Sequence, residues 1–265
     1  MKIFISADIE GITTTTTWGE VYPVPPLHAK QMTDEVLACI AGAKKAGAQE
    51  FLVKDAHADA NTIDPTRMPP GVTLIRNWSG HPYSMAEGVD STFHAAMFIG
   101  YHSAAGRMGN PMSHTASSRR IHTIKINGAP ASEFLFYSWA CALEGVPTVF
   151  LSGDKMLCAD SANLHPRLIT CPVKDGIGAA TLNYSTEETL QNITALSEKA
   201  LTQSLSGALA KLPDHFVMEI DYKEHIFANK ASWFPGVTRK NDTTITFSSD
   251  DFFEVLRTLK WLTSV

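Results

Sequence analysis

The first ten residues set the plan of the chain. Lys2-Ile3-Phe4-Ile5-Ser6-Ala7-Asp8-Ile9-Glu10-Gly11 reads as a strand that is apolar on both faces, with Ile3 and Ile5 on one and Phe4 on the other. That pattern belongs to a strand buried in the middle of a parallel sheet. Met32, Val36, Leu37, Ile40 and Ala43 then recur at three- and four-residue spacing and predict a helix from Leu27 to Ala46, closed by Gly47. Glu50–Asp55 is a second short apolar run, so strand, helix and strand with short joins form a parallel βαβ unit. Further strands are expected at Val72–Arg76, Ala95–Gly100 and Val146–Leu151. Ile121–Ile126 alternates and leads into the hairpin signal Asn127-Gly128. Ser132 caps a helix over Glu133–Leu143. Ser185-Thr186-Glu187-Glu188 has the spacing of a capping box and opens a long helix running to Leu212. Strands at Phe216–Tyr222 and Thr243–Phe247 and a helix over Asp250–Leu262 complete the chain, and no element is assigned between Asp154 and Ser185. The expected fold is α/β: a mostly parallel sheet flanked by helices over residues 1–182, with a smaller α+β part over 183–265.

The segment after the first strand, Thr13–Trp18 followed by Val21–Pro26, carries a β-branched run and three prolines and is expected to loop over the strand end. A low-complexity surface loop is the plainer expectation for the threonines and a wall against a substrate the other.

Composition narrows the function. A chain of 265 residues with 44% hydrophobic and 18% charged residues buries a sizeable core. Its net charge of −5 and lack of a Lys/Arg cluster argue against nucleic acid as a partner. Cys39, Cys141, Cys158 and Cys171 form no C-x-x-C pair, so neither a disulfide framework nor a thiolate zinc site is expected, which suits a reducing cytoplasm. No signal-like segment opens the chain and no apolar run approaches membrane-spanning length, so a cytoplasmic protein with no membrane partner is expected.

The chemistry gathers at strand ends. Asp8 and Glu10 project to one side of the first strand, His57 follows the second strand and His102 follows Ala95–Gly100. The carboxyl ends of strands form the ligand crevice of an open α/β sheet. Glu133, opening its helix directly after a hairpin, can reach the same crevice. Two imidazoles and three carboxylates suit two Zn²⁺ ions, with Mn²⁺ or Co²⁺ as alternatives; Mg²⁺ alone asks for no histidines. Five such ligands, one of them bridging, suffice for two ions with a water between them activated to hydroxide. His114 lies past a glycine-containing loop, a poorer scaffold for a ligand than for a proton-transfer residue. Asp55 and Asp59 flank His57 and are expected to orient its ring.

Asp8-Ile9-Glu10-Gly11-Ile12, Lys54-Asp55-Ala56-His57, Ser84-Met85-Ala86-Glu87-Gly88, Gly100-Tyr101-His102 and Met112-Ser113-His114 together resemble the successive motifs of the DppA-type D-aminopeptidases. Trp233-Phe234-Pro235-Gly236 and Thr243–Phe247 extend the resemblance nearly end to end. It implies a dinuclear zinc aminopeptidase acting on small peptides with an N-terminal D-residue such as D-Ala, assembled as a ring-shaped homodecamer. In that pattern Asp8 bridges the ions, Glu10 and His102 complete one site, His57 and Glu133 the other, and His114 is catalytic. The sequence departs from the pattern in the Thr13–Trp18 and Val21–Pro26 region and between His102 and His114. A dinuclear phosphoesterase also gathers Asp and His at strand ends, but Gly109-Asn110-Pro111 does not supply its usual G-N-H motif. A homologue that binds without catalysing is the remaining alternative.

Overall fold

The computed structural model describes residues 1–264. Its strands and helices follow in the order β1 (Lys2–Ala7), α1 (Pro26–Lys45), β2 (Glu50–Asp55), β3 (Val72–Ile75) and β4 (Ala95–Tyr101). A hairpin of β5 (Ile121–Ile126) and β6 (Ala129–Pro130) leads to α2 (Glu133–Leu143), β7 (Thr148–Asp154) and α3 (Lys155–Ser161). Next come β8 (Ile169–Ile177), β9 (Ala180–Asn183) and α4 (Thr186–Thr202). The chain finishes with β10 (Phe216–Tyr222), α5 (His225–Ala231), β11 (Val237–Arg239), β12 (Thr244–Ser249) and α6 (Phe252–Leu262).

Seven strands form the main sheet in the order β3-β2-β1-β4-β7-β8-β9. All neighbours are parallel except β9, which turns back on β8 through Gly178 at φ +59°. The chain winds one way from β1 to β3 and the other from β4 onward, so the strand order reverses between β1 and β4. Such a reversal opens a crevice at the carboxyl ends of the two strands. Register sets Ala7 beside both Asp55 and Ile99, which brings the ends of β1, β2 and β4 level with one another.

The expected two-faced burial of β1 is borne out. Ile3 and Ile5 pack with Met32, Val36 and Ile40 of α1 and Ile193 of α4. Phe4 points into the other core, with Phe98, Phe134 of α2, Ile220 and Val255. Each such side chain contributes roughly 1.5–3 kcal/mol on full burial. The second core lies between the main sheet, α2 and α6 and a five-stranded sheet ordered β11-β12-β10-β5-β6, in which all pairs are antiparallel. Strands from both sides of Leu182 build that sheet, and α4 packs on α1. No helix among the described residues is long and apolar enough to cross a membrane.

Four expectations need correcting. The helix predicted to reach Leu212 stops at Thr202, because Gln203 is extended at ψ 158° and Gly207 follows at φ +70°. Elements α3, β8 and β9 fill the stretch left unassigned, and α5 and β11 were not foreseen. Their apolar runs are short or interrupted by charge, as in Cys171-Pro172-Val173-Lys174, so neither period stands out. Pro26 occupies the first turn of α1, where its missing N–H costs nothing. Finally, the threonine run is no loose surface loop. Thr13 and Thr15 are wholly buried, Thr13 bonds Glu35 through both its N–H and its hydroxyl, and Thr15 donates to the Ile9 carbonyl.

His165, in the turn after α3, is buried against the Phe134 ring and its Nε2 meets Ser138 Oγ at 2.9 Å. Burial pushes its imidazole down to about 4. Between that value and the ordinary 6.5 the unfolded chain binds the extra proton, so stability rises with pH across this window and is lost as pH falls through it. The full loss is roughly 3 kcal/mol. His165→Asn is expected to flatten this part of the stability profile, read by urea unfolding at pH 7 and pH 4.5. An unchanged slope would place the acid sensitivity elsewhere.

Candidate metal centre

Asp8 and Glu10 leave β1 just where the chain turns under Gly11. A Cβ on Gly11 would lie 1.8 Å from the Tyr101 carbonyl oxygen, so only glycine lets this turn press against the end of β4. His57 follows β2, His102 follows β4, and Glu133 opens α2 under a cap in which Ser132 Oγ accepts the Leu135 N–H. All five side chains converge in the crevice between β1 and β4, and all are buried.

The contacts divide into two sets sharing Asp8. His57 Nδ1 lies 3.1 Å from Glu10 Oε2 and 3.3 Å from Asp8 Oδ1. His102 Nε2 lies 3.2 Å from Glu133 Oε2 and 3.4 Å from Asp8 Oδ2. Charge-assisted N–H···O bonds are shorter, about 2.7–2.9 Å. Two ligands bound at 2.0–2.1 Å to one tetrahedral ion stand roughly 3.3 Å apart, the spacing seen here. The side chains touch in other pairs than the resemblance implies for the ions: Glu10 meets His57, and Glu133 meets His102. Sequence order could not decide this, because it depends on which strand neighbours which and on where α2 enters.

Each histidine is oriented from behind by a backbone carbonyl. His57 Nε2 donates to Val21 O at 2.7 Å, His102 Nδ1 to Ser103 O at 3.0 Å and His114 Nδ1 to Met112 O at 3.0 Å. A carbonyl only accepts, so each of these nitrogens carries the hydrogen and the other turns toward the carboxylates. This is the support that metal-binding imidazoles ordinarily have. The expected orienting role of Asp55 and Asp59 is not found. Asp55 holds the backbone of the following loop, accepting the Ile63 N–H at 2.7 Å, and Asp59 is exposed. Asp154, which sequence reasoning missed, accepts the Ser103 N–H and hydroxyl, both at 2.6 Å, and so fixes the residue that holds His102.

Electrostatically the crevice favours positive charge. Burial pushes the His57 imidazole down, but the Glu10 carboxylate and its hydrogen bonds more than reverse this, carrying it up to about 11. Burial likewise opposes charge on His102, and Glu133 raises it to about 10. Burial and the neighbouring Glu10 charge push the Asp8 carboxyl up. Asp8 Oδ2 is buried without a hydrogen-bond partner. That oxygen faces His102, where a cation would satisfy it, and the imidazole–carboxylate donors of the crevice suit zinc.

His114 stands beside this cluster. Its ring stacks on His102 at 4.3 Å and 8°, meets the Trp18 ring edge-on at 5.3 Å, and has Nε2 3.7 Å from Glu133 Oε1. Burial and the adjacent His102 charge push its imidazole down. A cleft of about 1030 Å³ opens over the centre, lined by Asp8, Glu10 and Glu133 and, away from them in sequence, by Trp78, Arg119 and Lys260. Trp18 lines it too, so the threonine loop does furnish part of a wall.

The sequence model of the D-aminopeptidase family (peptidase M55) matches residues 1–261. A D-aminopeptidase of Bacillus subtilis (strain 168) is 29% identical over 273 residues, spanning 100% of this chain and 97% of that protein. The solved structure of the Zn-dependent D-aminopeptidase DppA from Bacillus subtilis, a self-compartmentalizing protease, superposes with a TM-score of 0.92 at 28% identity, over 100% of this chain and 97% of that one.

Proposed function

The chain belongs to the D-aminopeptidase family, and we propose that it is a dinuclear zinc aminopeptidase of short peptides with a free N-terminal amine, D-Ala peptides foremost. The observation that carries this reading is the pair of side-chain sets sharing Asp8, one with Glu10 and His57, the other with His102 and Glu133, in which each histidine stands about the edge length of a tetrahedral zinc site from its two carboxylates. Mn²⁺ or Co²⁺ would satisfy the same donors. When bound, the two ions would acidify water to a pKa of about 7, supply hydroxide at neutral pH and polarise the scissile carbonyl. Two dications against three carboxylates and one hydroxide also leave this buried crevice neutral, which a low-dielectric site requires.

The protein's own groups do the rest. Asp8 holds the two halves at a fixed separation. The backbone carbonyls behind His57 and His102 fix their tautomers. His114, neutral at pH 7 and facing the cleft, takes up a proton and delivers it to the leaving amine, or donates to the developing oxyanion. The cleft suits a short zwitterion: its acidic lining is confined to the centre, whereas Arg119, Lys223 and Lys260 line it elsewhere. A self-compartmentalizing relative supports a homo-oligomer, and the resemblance makes the decamer the assembly proposed here.

The test combines zinc analysis with paired dipeptides differing only in the configuration of the first residue. Two zinc ions per chain and cleavage of the D-form at a kcat/KM at least about tenfold above the L-form are expected, a gap of about 1.4 kcal/mol. No zinc uptake and no cleavage of either would sink the reading, and cleavage of the L-form alone would sink its D-specificity.

A further inference from the structure

Behind the centre, the carbonyl of Glu10 is held by two side chains from distant parts of the chain. Asn110 Nδ2 donates to it at 2.8 Å, and so does the ammonium of Lys174 on β8. A carbonyl oxygen has two lone pairs, and these two donors fill them. Lys174 is wholly buried and sends its remaining hydrogen bonds to Thr15, to the carbonyl at 2.6 Å and the hydroxyl at 2.9 Å. Taking an ammonium out of water is costly, and here all of its hydrogen bonding goes to the loop that carries Glu10.

Asn110 also reaches the other way. Its Oδ1 accepts the Met112 N–H at 2.9 Å, and its carbonyl accepts both the N–H and the hydroxyl of Ser113, at 3.0 and 2.7 Å. Met112 O is the group that orients His114. One buried amide thus joins the backbone of a proposed ligand to the residue whose carbonyl aims His114, while the main-chain carbonyl of Asn110 holds the Met112–Ser113 peptide itself. Neither Asn110 nor Lys174 lines the cleft.

We propose that Asn110 and Lys174 are positioning residues that keep Glu10 and His114 in register, Lys174 by anchoring the Glu10 carbonyl and Asn110 by linking that carbonyl to the His114 segment. This rests on the reading of Glu10 as a metal ligand and His114 as the proton-transfer group. The two arms of Asn110 are separable. Asn110→Asp keeps the acceptor for Met112 and loses the donor to Glu10, whereas Asn110→Leu loses both.

The experiment titrates the full chain with Co²⁺ against a competing chelator, followed by its visible absorption, and measures kcat and KM at saturating metal. Asn110→Asp and Lys174→Met are expected to weaken one of the two ions by about 10- to 100-fold, the effect typical of losing a supporting contact, and to leave the other within threefold. Asn110→Leu should show the same weakening and in addition lose about 10²-fold in kcat with KM within twofold, while Asn110→Asp keeps its kcat at saturating metal. If Lys174→Met does not fold, the near-isosteric Asn110 pair decides the matter alone. Unchanged Co²⁺ affinity in folded variants, or equal weakening of both ions, would overturn the positioning role. A wild-type chain that takes up no Co²⁺ would instead overturn the metal reading beneath it.

Discussion

Asp8→Asn is expected to reduce bound zinc to less than one ion per chain and to lower peptide hydrolysis by roughly 10⁴-fold, about 5.5 kcal/mol of transition-state stabilisation. The geometry says which half fails first. Asp8 Oδ1 accepts the Ile9 N–H at 2.9 Å, so an amide at this position keeps its oxygen there and turns its NH₂ to the place of Oδ2. That group would point a donor toward His102 Nε2, now 3.4 Å away, where a cation's ligand is needed. The His102–Glu133 set should lose its ion outright, and the His57–Glu10 set should be weakened by the missing charge. Stability should move the opposite way. Burial and Glu10 push the Asp8 carboxyl up, which means that its ionised form is held at a cost in the folded protein above its ordinary range. In the presence of a chelator, Asp8→Asn should therefore melt at a higher temperature than the wild type. Metal analysis and thermal melts with and without chelator read both effects. A variant that retains two zinc ions and full activity would refute the bridging role of Asp8.

Much of this centre was legible in the sequence because it depends on strand ends. A buried strand in a parallel sheet declares itself by an unbroken apolar run, and its polar residues stand at the carboxyl end. Asp8, Glu10, His57 and His102 all sit one to three residues beyond such runs. Glu133 was visible through its cap, since Ser132 fixes where α2 begins. What escaped notice depends on tertiary neighbours. The contact of Glu10 with His57 depends on β2 lying beside β1, which periodicity does not reveal. Lys174 interrupts an apolar run, yet β8 buries it completely because its hydrogen bonds are waiting in the loop after β1. The threonines misled for the same reason. Their hydroxyls are satisfied by Glu35, His28, Ile9 and Thr181, residues that the fold, not the sequence, brings near. Lys174 and Asn110 had one available signal, a polar residue inside or beside an apolar stretch, which acquires meaning only when a partner is known.

His114→Ala separates proton transfer from metal binding, and the second large effect is expected here. Its Nε2 stands 3.7 Å from Glu133 Oε1, outside the 3.1–3.4 Å spacing of the two ligand sets. The same atom lies close enough to His102 and Glu133 that the three could hold an ion together, so the alternative is concrete. As a proton-transfer group, His114 has what it needs: a cleft-facing nitrogen, a tautomer set by Met112 O, and a ring braced between His102 and Trp18. Burial holds it neutral near pH 7, ready to accept a proton. Removing such a group costs about 10²–10⁴-fold in kcat. His114→Ala should lose that much turnover, keep KM within a few-fold and bind two zinc ions as tightly as the wild type. If zinc is lost with the ring, His114 is a ligand, and the second ion belongs to His102, His114 and Glu133. The 3.7 Å separation from Glu133 favours the first outcome, because it exceeds the spacing of the other imidazole–carboxylate pairs, and the stacking on His102 at 4.3 Å braces the ring in the wall of the cleft.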